Sequence, residues 1–139
     1  MIYFDASVLL PLLIADAHTE KAGAWYSGLS ATVVVSDFAN LEVNAVLSRH
    51  LRVGRLTQAE VENALLDFDA MRANCERLSH AASDFLLAER LVRDFATKLA
   101  AADALHLTSA KNAGATLATL DLRLAEAARG QGVELAELA

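Results

Sequence analysis

Short apolar runs alternate along this chain with longer stretches of helical periodicity, and the alternation defines its elements. Met1 to Phe4 is a continuous apolar run that stops at Asp5, with Ser7 two residues on. Helical character follows from Ala6 to about Ala15, where Pro11 fits only near the first turn or at a kink. Asp16 to Thr19 breaks the pattern, and a second helix is expected from about Glu20 to Leu29. Thr32-Val33-Val34-Val35 is a β-branched run ending at Ser36, read as a second buried strand.

A third helix is expected from Asp37 to about Val53, with Phe38, Leu41, Ala45 and Val46 as its apolar stripe and Glu42 inside that stripe. Gly54 stops it. Thr57 and Glu60 form a capping box, with Leu56 and Val61 as its hydrophobic staple, and so start a fourth helix from Gln58 to Arg72. Arg77 to Ser79 is a short third strand. A fifth helix, from Asp84 to Ala96, turns Phe85, Leu86, Leu91, Val92 and Phe95 inward. A sixth runs from Leu99 to Asn112, stopped by Gly114, and carries Leu99, Asp103, Leu107 and Ala110 on one side with His106 adjoining. Thr116 to Leu120 is a fourth strand, and it too ends at a carboxylate, Asp121. A last helix spans Leu122 to Arg129, and Val133 to Ala136 is an edge strand.

Strands that are apolar throughout and alternate with helices describe a parallel sheet covered on both faces. The expected fold is therefore α/β, with three α/β/α layers around a central parallel sheet of four to five short strands, in a single domain over residues 1–139. Ligands of such sheets bind beyond the carboxyl ends of the strands, where Asp5 and Asp121 fall.

Composition narrows the class. Hydrophobic residues make up 55% of 139 residues, with one Pro and six Gly, as in a compact protein. No apolar run approaches the ~20 residues that span a bilayer, so no membrane association is expected. The chain shows no basic stretch leading to a cleavage site, and its lone Cys75 suits a reducing cytosol, so a cytoplasmic protein is expected. Cys75 reads as a small, partly buried thiol. A net charge of −6 argues against a simple nucleic-acid-binding module with a basic face. It leaves room for an enzyme whose acids gather in one pocket around a cation.

Position separates those cases. Asp5 and Asp121 end apolar strands, although both types of position are also ordinary helix caps. Glu42 and Asp103 lie on apolar helical faces, where a carboxylate is costly unless paired or metal-bound, although a solvated helix edge explains a single one. Four carboxylates in one pocket would raise one another's pKa, and a cation would relieve that. All-oxygen ligands favour Mg²⁺ or Mn²⁺. Zinc is disfavoured, because one Cys and four scattered His have no ligand spacing. For His106 a hydrogen-bonded, partly buried role is preferred to a ligand. Arg49, seven residues after Glu42, is placed to pair with it or to face a substrate.

Asp5-Ala-Ser7 after a strand, Glu42 in Ser-Asp-Phe-Ala-Asn-Leu-Glu, Ala101-Ala-Asp103-Ala-Leu-His-Leu and Thr119-Leu-Asp121 together resemble a PIN domain, in order and spacing, over essentially the whole chain. The nearest resemblance is to single-domain VapC-type toxins of toxin–antitoxin pairs. That resemblance implies a PIN-like fold and a Mg²⁺- or Mn²⁺-dependent ribonuclease that hydrolyses phosphodiester bonds in RNA. It also implies a homodimer and a cognate antitoxin protein that covers the site. Carried over onto this sequence, it makes Asp5, Glu42, Asp103 and Asp121 the catalytic and metal-binding acids, with Ser7 and Thr119 as supporting hydroxyls. Asp5 and Asp103 are the first choices for direct ligands. Arg49, Arg52 and Arg55 are candidate RNA phosphate contacts, a role that a solvated helix end explains equally well. The apolar Val8 to Ile14 stretch is expected to supply dimer surface.

Two other classes remain in view. One is a non-catalytic PIN-like module acting through protein or RNA contacts, its acids serving as caps. The other is a phosphatase with a covalent Asp, disfavoured because Asp5-Ala-Ser7 lacks a second Asp two residues on.

Overall fold

A computed structural model describes residues 1–138. Its elements in order are β1 (Ile2–Phe4), α1 (Ala6–Leu13), α2 (Thr19–Ser27), β2 (Val33–Ser36), α3 (Asp37–Arg52), α4 (Gln58–Arg72), β3 (Glu76–Leu78), α5 (Ala82–Arg93), α6 (Ala101–Ala113), β4 (Thr116–Ala118) and α7 (Leu122–Gly130), with a 3₁₀ turn at Phe95–Thr97. The four strands form one parallel sheet in the order β3-β2-β1-β4. All four therefore end on the same edge.

The pleat explains the three layers. Successive strand side chains point to opposite faces. Tyr3, Val34 and Leu117 enter one core with Ala104, Leu107, Ala110, Leu124 and Ala128 of α6 and α7. Phe4, Val33, Val35 and Ala118 enter the other with Val8, Leu9, Ala39, Val43, Leu47, Ala64 and Phe68 of α1, α3 and α4. Each fully buried side chain of the Leu9 or Phe68 kind contributes about 1.5–3 kcal/mol. The expected α/β/α architecture is the one observed.

Several expectations are corrected. The buried stripe of α3 is Ala39, Val43 and Leu47, whereas Leu41 is 64% exposed. Both stripes have helical spacing, and the smaller, branched one is the one that fits against Phe4 and Val35. On α5 it is Ala88 that is buried, while Phe85, Leu86 and Val92 face outward, and Phe95, in the 3₁₀ turn beyond it, is exposed as well. A small residue at the contact lets α5 lie close along α6, which leaves its larger apolar residues outside. The fifth helix ends at Arg93, because Asp94 caps the 3₁₀ turn through Ala96 N. The sixth begins at Ala101, two residues later than expected. The edge strand over residues 133–136 contracts to one parallel bridge, Leu117 with Leu135, held by Leu117 N to Glu134 O and Ala136 N to Leu117 O, both 2.8 Å. Along the stretch from Val8 to Ile14, Val8, Leu9 and Pro11 are buried in the chain's own core, while Leu10, Leu12, Leu13 and Ile14 are only partly buried against it.

The capping box is present as expected, with Glu60 N donating to Thr57 Oγ1 at 3.2 Å and Thr57 N to Glu60 Oε1 at 3.3 Å. Cys75 is a half-buried free thiol that bonds Met71 O, and burial raises its pKa. No helix among the described residues is long and apolar enough to cross a membrane.

Candidate active site

A parallel sheet puts the carboxyl ends of its strands and the amino ends of the following helices on one edge. Asp5 caps α1, Ser36 caps α3 and Asp121 caps α7, while Asp103 stands in the first turn of α6. The positive ends of four helix dipoles are thus directed at one region, which favours negative charge there. Capping and site formation are the same placement here, so the two readings of Asp5 and Asp121 coexist.

Asp5 is 3% exposed and fully engaged. Its Oδ1 accepts from Ser7 Oγ at 2.6 Å and Val8 N at 3.2 Å, and its Oδ2 accepts from Thr119 Oγ1 at 2.6 Å. Burial raises the Asp5 pKa, and the two hydroxyls work against that rise by bonding the charged form. Ser7 Oγ in turn accepts from Leu120 N at 2.8 Å, and Thr119 Oγ1 from Asp121 N at 3.0 Å. The supporting hydroxyls read from the sequence therefore tie the end of β1 to the end of β4. Asp121 gives one oxygen, Oδ1, to Arg123 N at 2.8 Å and Leu124 N at 2.9 Å.

Asp103 is half-buried, and its pKa is raised first by burial and then by the charges of Asp121, Asp5 and Glu42, with His106 acting in the opposite sense. Four acids from four elements thus share one electrostatic neighbourhood. They do not converge on a point: no three His, Cys, Asp or Glu side chains among the described residues are gathered as a preformed ion cage. That spacing still suits Mg²⁺, which keeps several waters and takes only one or two protein carboxylates. The donors are hard oxygens throughout, so the residues present fit such an ion.

Glu42 does not pair with Arg49. Its Oε1 meets His106 Nε2, and His106 Nδ1 lies 2.7 Å from Tyr3 Oη, which is 2.8 Å from Ser36 Oγ. His106 is 3% exposed, more deeply buried than expected, because α6 is covered on all sides from Ala104 to Ala110. Tyr3 and Ser36 are the site's neighbours that sequence reasoning missed. The available signal was the hydroxyl itself, since a Tyr in an otherwise apolar buried strand needs a hydrogen-bond partner. Arg49, Arg52 and Arg55 are exposed and lie toward the C-terminal end of α3. At 1.5 Å per residue Arg49 and Arg52 sit about 10 and 15 Å along the axis from Glu42, away from the strand ends.

Fold and site together define a parallel α/β protein with an acid-lined edge built on helix N-termini. The PIN domain family model matches residues 2–130, and the chain belongs to that family. It is 32% identical over 139 residues to ribonuclease VapC45 of Mycobacterium tuberculosis (strain CDC 1551 / Oshkosh), covering 98% of this chain and 94% of the relative. Among solved structures it is similar to Mycobacterium tuberculosis VapC20, a Sarcin-Ricin loop cleaving toxin, at a TM-score of 0.75 and 20% identity over 91% of this chain and 95% of that one. It is also similar to VapBC2 from Rickettsia felis bound to a promoter DNA fragment, at a TM-score of 0.72 and 17% identity over 98% of both chains. At those identities the two structures speak for the fold.

Proposed function

We propose that this chain is an endoribonuclease, the toxin of a toxin–antitoxin pair, hydrolysing phosphodiester bonds in RNA with Mg²⁺ or Mn²⁺. The observation that carries the reading is the Asp103 carboxyl, held half-buried against the charges of Asp121, Asp5 and Glu42. A cation bound there would relieve that repulsion. The relative of 32% identity that bears a ribonuclease name supports the same reading.

Asp5 and Asp103 would hold the ion directly, with Glu42 and Asp121 beside them. When bound, a divalent ion acidifies water, aligns it with the scissile phosphate and stabilises the departing oxygen. The chain's own residues supply the rest. Ser7 and Thr119 keep Asp5 oriented and favour its charged form. The helix N-termini offset part of the negative charge that an approaching phosphodiester meets. A small antitoxin covering this edge, a homodimer and a cytoplasmic location complete the proposal.

The test is cleavage of a panel of structured RNAs, tRNA included, by wild type and Asp103→Asn, with and without EDTA. Wild type should cut, lose activity in EDTA and recover with Mn²⁺ or Mg²⁺, and Asp103→Asn should be inactive. Equal cleavage by both proteins, or cleavage that survives EDTA, would overturn the mechanism. RNA or protein binding without cleavage in any of these conditions would favour the non-catalytic module.

A further inference from the structure

We infer that Tyr3 and His106 are positioning residues that orient the Glu42 carboxylate through a one-way chain of hydrogen bonds beginning and ending on α3. The inference rests on the proposed role of Glu42 at the acid-lined edge. The geometry is a closed loop through three elements. Ala39 N donates to Ser36 Oγ at 3.0 Å, at the N-terminus of α3. Ser36 Oγ and Tyr3 Oη are 2.8 Å apart, Tyr3 Oη and His106 Nδ1 2.7 Å, and His106 Nε2 meets Glu42 Oε1, one and a half turns along the same helix.

Donor and acceptor counting sets the direction. A carboxylate only accepts, so the hydrogen on the ring belongs to Nε2. With the ring neutral, Nδ1 is bare and Tyr3 Oη supplies it with a hydrogen. A phenol keeps its hydrogen at neutral pH, so Tyr3 Oη has one to donate. With its own hydrogen given to His106, Tyr3 Oη accepts from Ser36 Oγ, which itself accepts from Ala39 N. For the neutral ring this assignment gives every contact one donor and one acceptor. The last donor, Nε2–H, then points at one oxygen of Glu42.

Exposure separates this arrangement from simple core packing. Tyr3 and Ser36 are 0% and 1% exposed and His106 3%, while the Glu42 side chain is 27% exposed. The chain therefore runs from the interior outward and ends at a carboxylate that opens to solvent on the acid side. Glu42 is a long side chain with several rotamers, and a buried anchor removes that freedom before an ion or a phosphate arrives. His106 is also three residues after Asp103 on α6, so the same bond fixes the rotation of the helix that carries Asp103.

The test compares wild type with Tyr3→Phe, His106→Gln, His106→Leu and Glu42→Gln, each checked for folding by its melting transition. Mn²⁺ binding is read by electron paramagnetic resonance, and RNA cleavage is read as separate kcat and KM. Loss of a partner that orients a metal ligand typically weakens metal binding or activity by about 10- to 100-fold. Tyr3→Phe should show a loss of that order in Mn²⁺ affinity and kcat with KM for RNA little changed. His106→Gln, which keeps an N–H donor, should retain more than His106→Leu. In a Glu42→Gln background Tyr3→Phe should add nothing, because its path ends at Glu42. Ring ¹⁵N shifts of His106 should report hydrogen on Nε2 and none on Nδ1 in the wild type. A protonated Nδ1, or a Tyr3→Phe loss that adds in full to Glu42→Gln, would overturn the inference. If Glu42→Gln itself leaves Mn²⁺ binding and cleavage intact, the role of Glu42 fails instead, a different outcome from failure of the chain.

Discussion

Thr119 Oγ1 donates to Asp5 Oδ2 at 2.6 Å across 114 residues of sequence, and the bond joins the ends of two neighbouring strands at the acid-lined edge. With Ser7 on the other oxygen, it determines how readily a 3%-exposed carboxyl carries charge. Burial pushes the Asp5 pKa up and these hydroxyls hold it down.

Thr119→Val keeps the shape and removes the donor, so the Asp5 pKa should rise further. If charged Asp5 is the form that works, the acidic limb of the pH profile of kcat/KM moves to higher pH. Losing a hydrogen bond to a charged group should also cost about 1.5–3 kcal/mol of stability. Cleavage assays from pH 5 to 9 on both proteins check this. An acidic limb that stays in place would mean that another group sets it.

Asp103→Asn should be inactive yet more heat-resistant than wild type when no metal is present. A raised carboxyl pKa means that ionisation opposes folding, so the contribution is unfavourable at neutral pH and disappears as pH falls through the raised value toward the ordinary 3.8. The metal-free wild type should therefore gain stability on mild acidification, and Asp103→Asn should show less of that gain. Asp37 has the opposite sign, because its bonds to Arg77 and Ser79 lower its pKa. Its contribution is present above 3.8 and is lost only at still lower pH. Melting curves between pH 4 and 8 in EDTA separate these effects, at about 2–4 °C for each kcal/mol in a chain of this size.

Mn²⁺ should reverse the order of the two proteins. An ion that binds only the folded state adds about 2.7 kcal/mol at a concentration 100 times its Kd. The wild-type Tm should climb with added Mn²⁺, and that of Asp103→Asn should climb much less. Parallel curves for the two would remove Asp103 from the ion site.

Thr57→Ala serves as the contrast. It removes the α4 capping box, whose hydrogen bonds involve none of the four acids, and should cost about 1 kcal/mol. Its kcat and KM for RNA should match wild type at temperatures where both are folded. A change in either constant would mean that α4 is coupled to the site.

How much of this was legible in the chain follows from the range of each interaction. Strands and helix caps are local, so Asp5, Asp121 and the Thr57–Glu60 box could be read where they stand. The apolar strands implied a parallel sheet, and a parallel sheet implies one edge for Asp5, Thr119 and Asp121. Helix rotation was not local. On α3 and α5 two apolar stripes compete, and only contact with Phe4, Val35 and α6 selects Val43 over Leu41 and Ala88 over Phe85. The partner of Glu42 was equally hidden. Periodicity offered Arg49 on the same helix, whereas packing α6 against β1 brought in His106 and Tyr3 from 64 and 39 residues away. Local hydrogen-bonding and periodicity determined the elements and their acidic ends. Which faces meet, and hence which polar groups are buried together and must satisfy one another, was decided only by the tertiary structure.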